Sequence, residues 1–316
     1  MAKIITITAN TAIDNVVKIR GFVLGATLLA QDSVNYPAGK GINVAKALVS
    51  LNCPVTTLGF VGDQSKNLFS TLQSSLMSID LTDVPGQSRT NITLSDMDFD
   101  QETHIRTTGY RVTSSLCNQL LNKINRVTDD GDILVLSGSL PHGAPHDFYR
   151  KIIESAKNKG LITLLDSSGS GLIEGLKGRP HWFKPNLKEL EEVCEHALTT
   201  ETDVIYAARK IVASGVKKVV VSQGKDGVIL VTENSIMAAY IDAVAEPIQT
   251  KVGCGDALVA GVAYRMLNDE QLDQRNLLRS GVACATANLL SPEPGSITLE
   301  QVEAITRQVK FRSLSL

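Results

Sequence analysis

The feature that most constrains this chain is a sustained alternation of short β-rich apolar runs with amphipathic helical stretches. The runs fall at 4–8, 55–60, 133–136, 162–165 and 219–222. Between and after them, apolar residues recur at helical spacing over 42–51, 66–76, 116–127, 147–159, 187–195 and 203–214. A long small-residue pattern follows at 256–266. Strand-then-helix alternation predicts an α/β fold, a mostly parallel sheet with helices on both faces. Two segments, near 15–35 and 88–108, lack helical periodicity and read as extended. They are expected to pair as a small separate sheet, inserted into a single domain spanning 1–316.

Composition narrows the class. Hydrophobic residues make up 43% and aromatics only 4%, so the core must be aliphatic. Lys and Arg number 31 against 33 Asp and Glu, a formal −2, without the basic excess expected of a nucleic-acid or membrane partner. The five cysteines are dispersed and form no CxxC pair, which points to a reducing, cytoplasmic location and away from a disulfide framework or zinc site. The N-terminus alternates apolar and polar residues, so it reads as a first strand, not a signal peptide. No apolar run is long enough for a membrane span.

Four motifs carry chemistry. In Gly253-Cys254-Gly255-Asp256, a glycine-rich turn opens a helix. Free N–H groups and the positive helix end then converge on one spot, a ready anion site. Asp256 beside it is placed to take a proton from a hydroxyl attacking a bound phosphate. The same residues also fit a plain helix N-terminus. No Walker A pattern is present, because Gly39-Lys40-Gly41 lacks its spacing. In Pro37-Ala-Gly39-Lys40-Gly41-Ile-Asn43, glycines bracket a lysine at a helix start. Lys40 offers a point charge for phosphate, and Asn43 offers both donor and acceptor to sugar hydroxyls. A solvated lysine before a core helix is the alternative.

In Lys184-Pro185-Asn186-Leu-Lys-Glu189, proline bars helix at Lys184, so a helix starts at about Asn186. Asn186 and Glu189 have capping-box spacing. Read functionally, the pair holds water on Mg²⁺, with Lys184 near a transferring phosphate. In Arg89-Thr-Asn91-Ile-Thr93, alternation puts Arg89, Asn91 and Thr93 on one strand face. Arg89 could there grip a phosphate bidentately, or simply face solvent. Lesser signals are Asp14 after the first strand, Ser137-Gly-Ser139 and Asp166-Ser-Ser-Gly169 at strand ends, and a turn through Ser222, Gly224 and Gly227 suited to lie beside a nucleotide.

In this order, these motifs resemble the PfkB branch of the ribokinase-like sugar kinases across nearly the whole chain. The resemblance implies a Rossmann-like domain with a small β-sheet lid, a homodimer formed through the lids, and ATP with Mg²⁺, leaving room for a monovalent cation such as K⁺. It puts Asp256 as catalytic base, Gly253, Cys254 and Gly255 as anion hole, and Asn186 and Glu189 in the metal-linked motif. Lys184, Asn186, Ser222, Gly224 and Gly227 fall on the ATP side. Asp14, Gly39, Lys40, Asn43, Arg89, Asn91 and Ser139 fall on the sugar-phosphate side. Cys254 stands where Ala is usual, Lys251 where Thr is common, and Ala38 replaces a frequent Gly. Basic residues of related fructose-6-phosphate kinases are missing around Ala26 and Leu28, which favours a 1-phosphorylated sugar. The expected reaction is therefore fructose 1-phosphate plus ATP giving fructose 1,6-bisphosphate and ADP. The alternatives are a tagatose-6-phosphate or fructose-6-phosphate kinase, and a non-catalytic sugar-phosphate sensor.

Overall fold

The computed structural model describes residues 2–99, 101–244, 247–269, 271 and 273–314. The chain opens with β1 (Ile4–Thr8), β2 (Ala12–Ile19), β3 (Asp32–Ala38), α1 (Lys40–Ser50), β4 (Val55–Gly62), α2 (Lys66–Ser70) and β5 (Met77–Val84). It continues through β6 (Arg89–Asp96), β7 (Gln101–Arg106), α3 (Ser114–Val127), β8 (Ile133–Ser137), α4 (Phe148–Asn158), β9 (Ile162–Asp166) and α5 (Ser170–Lys177). Next come β10 (Trp182–Phe183), α6 (Leu187–Cys194), α7 (Glu201–Ala213), β11 (Lys218–Ser222), β12 (Val228–Thr232) and β13 (Ile236–Tyr240). The last described elements are α8 (Cys254–Asn268), α9 (Gln274–Leu289), α10 (Leu299–Thr306) and β14 (Lys310–Ser313).

The large sheet has the order β14-β13-β12-β11-β10-β9-β8-β1-β4-β5. It is parallel from β5 to β11 and antiparallel beyond. Every residue of β1 is buried, as a strand covered on both faces must be. Alternation sends Ile5 and Ile7 into a core with α3 to α7, and Ile4 into a second core with α1, α8, α9 and α10. Both cores are mainly aliphatic, but the first also buries Phe60, Tyr110, Phe148, Tyr149 and Phe183, and the second buries Trp182.

β1 lies between β4 and β8, so the sheet grows away from it in both directions. The crevice at the carboxyl end of such a switch-point strand is where open α/β sheets hold ligands. Here the chain leaves the large sheet to build a second one, of order β3-β2-β6-β7. Its strands come from the two segments that lack helical periodicity. β2 begins earlier than expected, at Ala12, and no strand runs through 20–31.

The helix expected over 66–76 stops at Ser70. The Ser70 hydroxyl donates to the Asn67 carbonyl at 2.8 Å and the Thr71 hydroxyl to the Leu68 carbonyl at 2.7 Å. These short side-chain bonds compete with the backbone ladder, and Phe69 is the only buried residue of α2. Among the described residues no helix is long and apolar enough to cross a membrane.

Candidate active site

Gly39 and Gly41 bring the start of α1 onto the carboxyl end of β1. A Cβ at Gly41 would lie 2.4 Å from the Thr8 hydroxyl, and one at Gly39 2.8 Å from Thr8 Cγ2. Gly39 has φ +130°, which a side chain would also resist. The close approach sets two α1 side chains over the crevice. Lys40 reaches one way, and Asn43 meets the N-terminus of α8.

Gly253 caps α8 in the left-handed region, at φ +82°. The first helical bond runs from the Ala257 N–H to the Gly253 carbonyl, so the N–H groups before it have no acceptor within the helix. A Cβ at Gly255 would lie 3.4 Å from the Lys184 ammonium, so the bare turn stands against a cation. Cys254 is the first helical residue and accepts a weak bond from Asn288 at 3.4 Å. Asp256 is not the cap. It is buried in the first turn and accepts from the Asn43 amide at 2.8 Å. Burial, then repulsion from Asp166, pushes its carboxyl up to about 7, while Lys40, Asn43 and Lys184 pull the other way. A carboxylate titrating near neutrality is suited to general-base work.

Asp166 ends β9, fully buried, between two ammonium groups: Lys40 at 2.9 Å and Lys184 at 3.2 Å. Burial opposes its ionisation, but the two lysines outweigh it and hold the carboxyl below the usual range. Lys40 also faces Glu189 Oε1 at 3.5 Å. Burial works against its charge, and Asp166, Asp256 and Glu189 prevail and keep it protonated.

The capping box expected of Asn186 and Glu189 forms, at 2.9 and 2.8 Å. It engages Glu189 Oε2 and leaves Oε1 toward Lys40. The box and the cluster therefore use different oxygens of one carboxylate. Ser222 donates its N–H to the Pro185 carbonyl at 3.0 Å, which sets the turn after β11 beside Asn186. Gly224 lies in that turn. Gly227 closes it, because a Cβ there would lie 2.3 Å from the Ala239 carbonyl.

A second half of the site lies under the small sheet. A cavity of about 240 Å³ is lined by Asp14, Asn43, Lys46, Asn91, Arg106 and Glu293, among others. The parallel pairing of β2 with β6 puts Asn91 opposite Asp14, and its amide donates to that carboxylate at 2.7 Å. Burial pushes Asp14 above the usual carboxylate range, against Asn91, Lys46, Arg89 and Arg106. Asn43 belongs to both halves, since it lines the cavity and bonds Asp256.

Three sequence candidates, Arg89, Lys40 and Ser139, stand apart from the lining of this cavity. Arg89 does not line the cavity, and its Nε is buried without a partner. Lys40 turns to Asp166, not toward Arg89 and Asn91. Ser139 accepts from the Asn10 amide at 3.3 Å, outside both sets of contacts. The sequence marked Asp166 only as a lesser strand-end signal without a partner, and gave no role to Lys46, Arg106 or Glu293. Lys46 was readable as well, because it lies three residues from Asn43 on one helix face. Arg106 is revealed only by its register opposite Asn91. A larger cavity of about 620 Å³ between α5, α6 and α7 is lined by none of these residues.

The model of the family described as pfkB family carbohydrate kinase matches residues 3–301. The chain is 31% identical to the 1-phosphofructokinase of Bacillus subtilis (strain 168), over 98% of this chain and 100% of that protein. It is 31% identical to the 1-phosphofructokinase of Haemophilus influenzae, over 98% of each. The crystal structure of phosphofructokinase-2 from Escherichia coli in complex with potassium superposes with a TM-score of 0.90 at 27% identity, covering 97% of this chain and 99% of that one.

Proposed function

Because the chain belongs to the pfkB family of carbohydrate kinases, we propose that it transfers the terminal phosphoryl group of ATP to fructose 1-phosphate, giving fructose 1,6-bisphosphate and ADP. The observation that carries this reading is Asn43, which lines the small-sheet cavity and bonds Asp256 at 2.8 Å. A hydroxyl of a sugar held in that cavity is thereby delivered to a base that stands beside an anion-binding turn.

In the reaction, Asp256 takes the proton of the 6-hydroxyl as its oxygen bonds to the terminal phosphorus. The bond from that phosphorus to the bridging oxygen of ADP breaks. The open N–H groups of the 253–255 turn and the Lys184 ammonium stabilise charge on the transferring group. Asp14 and Asn91 orient sugar hydroxyls. Asn186 and the Ser222 turn border the nucleotide.

The residues present also fit a divalent cation. Asp166 Oδ2 is buried without a hydrogen-bond partner, and Asp166, Glu189 and Asp256 outnumber Lys40 and Lys184 in the cluster. Asp166 and Glu189 would hold Mg²⁺ through water, and the ion, when bound, neutralises phosphate charge.

We read the tip of the small sheet as a homodimer contact. Phe22, Val23, Leu24, Leu29, Met97 and Phe99 are exposed there, Leu24 to 91%, an unusual apolar concentration for a free surface. The free cysteines suit a reducing cytoplasm.

A coupled assay of ADP release with fructose 1-phosphate, fructose 6-phosphate and tagatose 6-phosphate tests the reading. The highest kcat/KM is expected for fructose 1-phosphate. A clear preference for either other sugar reassigns the substrate, and no release with any of them supports a sensor. Replacing K⁺ by Na⁺ in this assay tests the cation dependence that the potassium-bound relative suggests.

A further inference from the structure

Lys46 and Glu293 form an ion pair of 2.7 Å in the wall of the small-sheet cavity, with side chains 13% and 31% exposed. Lys46 lies one helical turn beyond Asn43, and so away from Asp256 along α1. The group that reacts must sit at the Asp256 end, so the phosphate that does not react must lie toward Lys46. Arg106 lines the same cavity. Arg89 and Arg106 repel one another, and burial and that repulsion both weaken the hold of Arg89 on its proton. The cavity wall therefore carries two cations, Lys46 and Arg106, with Arg89 close by but outside the lining. The carboxylates lining the cavity are Asp14, already bonded to Asn91, Glu102, which lies 3.6 Å from His104, and Glu293, which alone pairs with Lys46.

We infer that Glu293 is an internal stand-in for the substrate's non-reacting phosphate, holding Lys46 until a phosphorylated sugar displaces it. The inference rests on the hexose-phosphate reading above. A sugar phosphate carries nearly two negative charges and can outcompete a single carboxylate for Lys46. An unphosphorylated hexose brings no charge and leaves the pair closed. The pair thus selects for phosphorylated sugars by charge exchange.

The loop that carries Glu293 is pinned, so the exchange needs only a side-chain movement. The Gly295 N–H donates to Asn288 Oδ1 at 2.8 Å, and Asn288 in turn donates to the Val252 carbonyl at 2.8 Å. A Cβ at Gly295 would lie 2.7 Å from the Asn43 carbonyl, so the loop backbone is seated directly on α1. Pro294 packs on Gly253 in the same way. Glu293 is a positioning residue, acting on substrate through Lys46.

Calorimetric titration of the full chain with fructose 1-phosphate and with fructose, without ATP, tests this. Glu293→Gln removes the competing charge at constant size. It should tighten fructose 1-phosphate about 5-fold, the scale of a partly exposed ion pair, and leave fructose binding unchanged. Glu293→Asp, a milder change that keeps the charge at shorter reach, should act in the same direction by a smaller factor. Lys46→Ala should weaken fructose 1-phosphate roughly 10- to 100-fold. If Glu293 only braces its loop, both Glu293 variants will bind fructose 1-phosphate equally or more weakly, and the inference fails while wild-type binding stands. Wild type that binds no sugar phosphate would remove the hexose-phosphate reading, and this inference with it.

Discussion

The Asn43 amide donates to Asp256 at 2.8 Å across 213 positions of sequence. This bond joins the first turn of α1 to the first turn of α8. It also joins the cavity under the small sheet to the charged cluster at the strand ends. A buried carboxyl, a glycine turn with open N–H groups and a cavity of about 240 Å³ meet at one side chain.

Asp256→Asn keeps the size of the side chain and a partner for Asn43 but cannot accept the proton. We expect kcat to fall on the order of 10²–10⁴-fold with little change in the KM for ATP. Steady-state kinetics on the purified variant check this. Turnover near that of wild type would exclude Asp256 as the base.

The raised pKa of Asp256 gives two pH signatures of opposite benefit. With Asp256 as the proposed base, activity needs its ionised form, so kcat/KM should rise with pH up to about 7 and then level. Stability runs the other way, because the folded pKa lies above the unfolded value near 3.8. Below the unfolded value both states hold the proton and there is no penalty. As pH rises to about 7 the folded state pays an increasing cost for the buried charge. Asp256→Asn should therefore melt higher than wild type at pH 8, with the gain vanishing near pH 4. An unchanged difference across that range contradicts the burial argument.

Glu189→Gln separates the cap from the cluster. The amide retains an acceptor for the Asn186 N–H, so the loss of stability should be at most about 1 kcal/mol. The variant loses the negative charge that faces Lys40 at 3.5 Å. It should stay folded yet require more Mg²⁺ for half-maximal rate. Matched melting curves and a Mg²⁺ titration decide, and an unshifted Mg²⁺ requirement would leave Glu189 as a cap alone.

Arg106 and Arg89 differ in access to the cavity. Arg106→Ala should raise the KM for the sugar phosphate roughly 10- to 100-fold, the scale of a charge-assisted hydrogen bond. Arg89→Lys should raise it less, because Arg89 does not line the cavity. The KM for ATP should not move in either variant. A larger effect at Arg89 would restore it as the direct phosphate ligand.

Short-range physics made much of this molecule readable from its residues. The alternation at 4–8 marked a strand, and burial of all five of its residues follows from helices covering both faces. Pro185 barred helix before Asn186, and the cap formed where the spacing required. The glycines at 39 and 253 marked helix starts because positive φ and close approach admit little else. The end of α2 departs from the local pattern, whose apolar spacing continues past Ser70, because two hydroxyls bonding nearby carbonyls end the helix.

Tertiary structure alone decided which of these pieces meet. Asp166 gains Lys40 from 126 positions away, and Lys46 gains Glu293 from 247 away. Nothing in the local pattern of either partner encodes the pairing. Strand order decides it, because β1, β9 and β10 end on the same edge of one parallel sheet and bring distant charges to a common crevice. Register decides the rest, since the pairing of β6 with β7 puts Arg106 beside Asn91. Local sequence sets dihedrals, periods and caps over a few residues, whereas charge–charge contact requires a whole sheet to be assembled first.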